Sequence, residues 1–217
     1  MKKALIFFTF LLVSTLSFAQ GLRFNAYGGY VFPDRFDSFF SSSSYFEGRV
    51  EDGFRWGAGL EYLIPGGKAI EIQYLRQDTN APTTWVDSQL TGGDIRRTNF
   101  DLGINWIMLN FTNYFPVSEV AEPFIGGGLG MGIFSVRNPD TGGSQTPTKF
   151  GWNLRGGTNL WVSENVGIRI QASLFSAVQS VGGGLWLGTG GAGAGLTTFS
   201  TMYQFGFDGG LVFKIPR

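Results

Sequence analysis

Phe54-Arg55-Trp56-Gly57-Ala58-Gly59-Leu60-Glu61-Tyr62 alternates strictly, with Phe54, Trp56, Ala58, Leu60 and Tyr62 on one parity and Arg55, Gly57, Gly59 and Glu61 on the other. Successive side chains of a β-strand point to opposite faces, so the segment has one apolar face and one face of glycine and charge. The turn Pro65-Gly66-Gly67-Lys68 follows, and beyond it Ile70, Ile72 and Tyr74 alternate with Glu71 and Gln73. The two segments read as a hairpin with a tight turn.

The same period of two recurs along the chain, and hardly any stretch has a 3.6-residue apolar face. Strands are expected near Leu22 to Phe32, near Pro123 to Val136, from Phe150 to Trp161, from Val166 to Leu174 and from Tyr203 to Ile215. In the segment from Asn99, the apolar parity is Phe100, Leu102, Ile104 and Trp106, then shifts to Ile107, Leu109, Phe111 and Phe115. A change of phase by one residue predicts a β-bulge there. With the hairpin, the total is about eight strands.

Links between strands alternate in length. Tight turns fall at Pro65 to Lys68, Pro116 to Glu122 and Val162 to Asn165, and long links at Pro33 to Asp52, Gln77 to Arg97, Arg137 to Lys149 and Ser176 to Thr198. A membrane barrel segregates short turns to one rim and long loops to the other, whereas a soluble sandwich has no reason to.

Composition points the same way. The 217 residues include 34 glycines and 22 phenylalanines, and only 15% are charged, against about a quarter in soluble domains. At the start, Met1-Lys2-Lys3, the apolar run Ala4 to Leu16 and Ser17-Phe18-Ala19 form a signal peptide over 1–19, with 20–217 as the exported domain. The apolar run is shorter than the ~20 residues of a membrane-spanning helix. Loss of Lys2 and Lys3 leaves 14 basic against 16 acidic groups, which excludes an electrostatic nucleic-acid binder. Without cysteine there is no disulfide and no thiolate site.

In lipid, the apolar parity faces acyl chains and the polar parity is enclosed. Arg55, Glu61, Glu71, Asp101, Arg155 and Arg169 are therefore expected to pair inside, since eight strands leave room for packed side chains and not for a wide channel. Trp56, Tyr62, Tyr74, Trp106, Trp152 and Tyr203 fit interfacial girdles.

The segments Asn25-Ala26-Tyr27-Gly28-Gly29-Tyr30, Pro123-Phe124-Ile125-Gly126-Gly127-Gly128-Leu129-Gly130 and Gly151-Trp152-Asn153-Leu154-Arg155-Gly156-Gly157 resemble the OmpA-like, porin-family outer-membrane β-barrels. The spacing of Asp208, Gly210, Phe213 and Ile215 resembles their assembly signal, although members often end on an aromatic residue and this chain runs on to Pro216-Arg217. The resemblance implies an antiparallel up-and-down transmembrane β-barrel of about eight strands in the outer membrane of a Gram-negative cell. It implies a monomer that contacts outer-membrane lipid, the barrel-assembly machinery and an unknown surface or periplasmic partner. The expected role is structural or surface-interacting; the alternatives are a narrow passive channel and an accessory barrel of a secretion system.

Outer-membrane barrels that are enzymes, such as lipid A deacylases, palmitoyltransferases, phospholipases and omptin proteases, use a catalytic histidine. This chain has none. A carboxylate-only hydrolase on Glu61, Glu71 or Asp101 is the remaining enzymatic reading, and such interior charges more often pair structurally. No catalytic residue, cofactor or metal site is expected. Gly188-Thr189-Gly190-Gly191-Ala192-Gly193 spells a dinucleotide pattern with no βαβ context, and 181–196 is either a loop or a further hairpin that would make ten strands. Phe36, Phe39, Phe40, Tyr45 and Phe46 crowd the first long link. They either extend the outer girdle, the commoner arrangement, or dock a hydrophobic ligand, glycan or partner.

Overall fold

The computed structural model describes residues 21–41, 44–87, 94–178, 185–188, 191–194 and 202–216, and the backbone alone at 36–41, 44–46, 85–87, 185–188 and 191–194. The expected signal peptide lies outside the described residues.

Among the described residues thirteen strands follow in chain order: β1 (Leu22–Val31), β2 (Asp34–Ser41), β3 (Ser44–Val50), β4 (Gly53–Ile64), β5 (Lys68–Asp87), β6 (Arg96–Tyr114), β7 (Ala121–Arg137), β8 (Ser144–Gln145), β9 (Thr148–Trp161), β10 (Val166–Val178), β11 (Leu185–Gly188), β12 (Gly191–Ala194) and β13 (Met202–Lys214). β1, β4, β5, β6, β7, β9, β10 and β13 each pair antiparallel with the next, and β13 returns to β1, from Arg23↔Lys214 to Val31↔Gly206. Eight strands thus close an up-and-down barrel with no free edge.

The turns at 65–67, 115–120 and 162–165 and both described ends of the chain share one rim, the turn end. Gly66 and Gly67 carry φ of 85° and 73°, the left-handed conformation that the β4–β5 connection needs. The long links share the opposite rim, the loop end. β5 and β6 do not stop where the sequence suggested: the span read as a link from Gln77 to Arg97 is mostly ladder, paired out to Trp85↔Arg96. Thr79, Thr83, Thr84, Trp85 and Val86 supply the β-branched and aromatic residues that sustain it. β3 pairs with this extension and β2 with β3, so a four-stranded wall of β2, β3, β5 and β6 stands above one side of the barrel. Among the described residues β11 and β12 pair only with each other, so the described part of the Gly-rich segment adds no strand to the barrel.

Burial is inverted relative to a water-soluble protein. Ile72, Ile125 and Leu129 are 64%, 62% and 59% exposed, while Arg55, Glu61 and Glu71 are 0% exposed. Such an outer surface suits hydrocarbon. Along β4, Tyr62 and Phe54 mark the two rims of this belt, roughly 20 Å apart at the usual rise and tilt.

One strand corrects the sequence reading. β6 keeps its register to both neighbours from Asp101 to Asn113, so no bulge occurs at Ile107. Phe100, Leu102, Ile104, Trp106 and Met108 all point inward and are buried. Asp101 is consequently on the outer face, exposed, and does not join the interior cluster. Trp106 is not a girdle residue; it is fully buried in the lumen, whereas Trp56, Tyr62, Tyr74 and Tyr203 are exposed on the outside.

Candidate functional site

The lumen is the site that the sequence singled out. Its inward positions alternate bulky and small residues, as a narrow barrel requires. A Cβ on Gly59 would overlap the Glu71 carboxylate, and one on Gly128 would overlap Asn110 Oδ1. A Cβ on Gly151 or Gly132 would lie 2.6 or 2.9 Å from Trp106 Cζ3. These four glycines of β4, β7 and β9 leave the space that the side chains of Glu71, Asn110 and Trp106 occupy.

At the turn end, Arg23 grips Glu122 with both terminal nitrogens, at 2.9 and 3.0 Å, and lies 3.7 Å from Glu61. Asn159 donates to Glu122 at 2.8 Å and accepts from Arg169 Nε at 2.8 Å. Arg169 also donates to the hydroxyls of Tyr27 and Tyr114, at 2.9 and 2.6 Å, and Tyr114 donates to Glu61 at 2.5 Å. The guanidinium of Arg169 stacks 4.9 Å from the Phe124 ring.

Above this, Glu71 is held by Arg155, Tyr27 and Asn25, and Arg155 reaches Thr112 Oγ1 at 2.6 Å. Arg55 Nη2 lies 2.8 Å from each oxygen of Asp208, which also accepts from Ser173 at 2.8 Å and Gln171 at 3.1 Å. An amide ladder joins Asn153, Asn110 and Gln73 at 2.8 and 3.0 Å.

Toward the loop end, polarity gives way to an apolar plug. Trp106 donates to Gln204 at 3.0 Å, and its ring packs against Phe134 and Phe175 at 5.7 and 5.3 Å. Phe100, Ile104, Leu75 and Met108 complete it.

Four arginines (Arg23, Arg55, Arg155, Arg169) and four carboxylates (Glu61, Glu71, Glu122, Asp208) are the buried charges among the described residues. These buried charges balance, and each has an opposite partner within 4 Å. Of the residues expected inside, Arg55, Glu61, Glu71, Arg155 and Arg169 belong to this network and Asp101 does not. Sequence reasoning left Arg23, Asn25, Tyr27, Tyr114 and Glu122 out of the interior cluster, and placed Asp208 in an assembly signal rather than in that cluster. Parity carried forward from Arg55 through the paired strands would have found them.

Gly210 lies inward on β13, and Ile215 is exposed just beyond its end. Phe36, Phe39, Phe40, Tyr45 and Phe46 fall in β2 and β3, where Phe39 pairs with Tyr45 and Phe36 with Gly48; their side chains lie outside those described.

No sequence-family model and no curated protein matches the chain. Solved structures do. Neisserial surface protein A is similar at 14% identity and a TM-score of 0.58, over 90% of this chain and 97% of its own. The outer membrane protein OprG from Pseudomonas aeruginosa is similar at 11% identity and a TM-score of 0.54, over 91% and 97%. At these identities the likeness is one of fold, and the fold is that of the small outer-membrane β-barrels.

Proposed function

We propose that the protein is a monomeric, integral outer-membrane barrel that serves as a closed scaffold for a surface-interaction wall, and that it is neither a conduit nor an enzyme. The observation that carries this reading is the mutually paired set of buried charges, four arginines against four carboxylates, capped by the Trp106 plug. Every buried carboxylate is held by an arginine, so none is left as a free base, and a water path would have to displace fully buried rings. A filled barrel that neither transports nor hydrolyses still displays its loops. Here the displayed element is the wall of β2, β3, β5 and β6, with Phe36, Phe39, Phe40, Tyr45 and Phe46 on its outermost hairpin.

Two measurements test the reading. In cell fractions, the unboiled protein should run faster than the boiled protein on SDS gels and should sediment with the outer membrane; a soluble periplasmic band unchanged by boiling would refute the membrane assignment. In planar bilayers, the folded barrel should give no discrete current steps. Reproducible steps would favour the narrow-channel alternative.

A further inference from the structure

On the outer faces of β6 and β7 the apolar belt ends differently from its end on β1, β4 and β13. On those strands its loop-end rim is aromatic, with Tyr30, Phe32, Phe54, Trp56, Phe205 and Phe207 exposed and Phe32 stacked on Phe205 at 5.8 Å. The outward residues of β6 run instead Ile107, Asn105, Gly103, Asp101, and those of β7 run Met131, Ile133, Ser135, Arg137. A groove of about 530 Å³ opens at this level, lined by Arg76, Asp78, Asn80, Asp101, Ser135 and Arg137 among others. Gly103 leaves its floor open, since a Cβ there would come within 3.0 Å of Arg76 Nη2. Arg76 is fixed by Asp78 and by Asn105, at 2.9 Å. Asp101 and Arg137 are register partners, yet neither side chain has an ion pair or hydrogen bond to any described residue.

A second groove, of about 550 Å³ and apolar, lies on the same side of the barrel, with Leu109, Phe111, Leu129 and Leu154 around the outward Gly127. It is roughly 20 Å nearer the turn end at the usual strand rise and tilt, a distance comparable with the half-thickness of a hydrocarbon core.

We propose that this face seats one outer-leaflet lipid with a phosphorylated saccharide headgroup. The phosphate lies on Arg137 and Arg76, saccharide hydroxyls donate to Asp101 and Asp78, and an acyl chain fills the Gly127 groove. Guanidinium groups favour phosphate oxygens, and a carboxylate beside a bound phosphate needs a hydroxyl donor to be tolerated. A headgroup without phosphate leaves Arg137 without an anion, and one without hydroxyls leaves Asp101 without a donor. The proposal rests on the membrane reading above.

The test uses the protein folded in phosphatidylcholine nanodiscs and titrated with diphosphoryl lipid A or its dephosphorylated counterpart, with bound lipid read by native mass spectrometry. One diphosphoryl lipid A should be retained. Arg137→Gln should weaken it about tenfold, the worth of one charge-assisted contact, and should leave the dephosphorylated lipid unaffected. Arg137 is exposed and unpartnered, so the variant should keep its heat-modifiable mobility. A folded barrel that holds both lipids equally, or an Arg137→Gln variant that binds as tightly as the parent, overturns the lipid seat alone. Failure to reach the heat-modifiable state in nanodiscs overturns the membrane reading and the seat with it.

Discussion

Arg55 on β4 and Asp208 on β13 are 153 residues apart in the chain, yet inside the barrel Arg55 Nη2 lies 2.8 Å from both carboxylate oxygens. Neither strand is the other's neighbour; β1 runs between them, and its inward residue at that level is Gly29, register partner of both. A Cβ on Gly29 would come 2.5 Å from Asp208 Oδ1. The glycine therefore opens the passage through which the pair meets.

Removing one member of this pair should cost more than removing both. Asp208→Ala leaves a fully buried guanidinium with no counter-ion, a loss of about 3–5 kcal/mol. Arg55→Leu combined with Asp208→Ala should cost distinctly less. Urea unfolding of the barrel in vesicles, analysed as a double-mutant cycle, checks the non-additivity.

Glycines inside and outside the barrel should respond differently. Gly59→Ala collides with Glu71 and loosens its bonds to Asn25, Tyr27 and Arg155, a cost of about 1–3 kcal/mol. Gly209→Ala meets only carbonyl oxygens at 3.9 Å and should change stability by less than about 0.5 kcal/mol. The same vesicle titration ranks the two.

The plug is structural. Trp106→Ala should cost about 3–5 kcal/mol through the cavity that it leaves and the orphaned Gln204 oxygen. Planar-bilayer recordings of this variant should stay silent, because the paired charges nearer the turn end still close the lumen.

How much of this was legible in the sequence depended on what lines each part of the lumen. In β4 and in β5 up to Tyr74, polar and apolar parities coincide with inside and outside, so Arg55, Glu61 and Glu71 could be placed from alternation alone. In β6 the lumen is apolar near the loop end, and outside it the polar residues Asp101 and Asn105 stand above the belt. Polarity there reverses its meaning, and the reversal looked like a bulge. The Asp101 error has that origin. The extension of β5 and β6 was hidden for another reason: along 77–84 both parities are largely polar, with Gln77, Thr79 and Thr83 on the inward face and Asp78 and Asn80 on the outward one, so the alternation fades even though the ladder continues.

The central claim is that the outward face of the barrel meets hydrocarbon, and a pair of arginine substitutions on β7 tests it most directly. Leu129 is exposed in the middle of the belt, and Ser135 is on the same face beside the polar groove. Unfolding free energies in vesicles should fall by about 2–4 kcal/mol for Leu129→Arg and by about 0–1 kcal/mol for Ser135→Arg, following membrane depth. Equal, near-zero effects at both positions would mean that Leu129 faces water, and the inside-out account would be wrong.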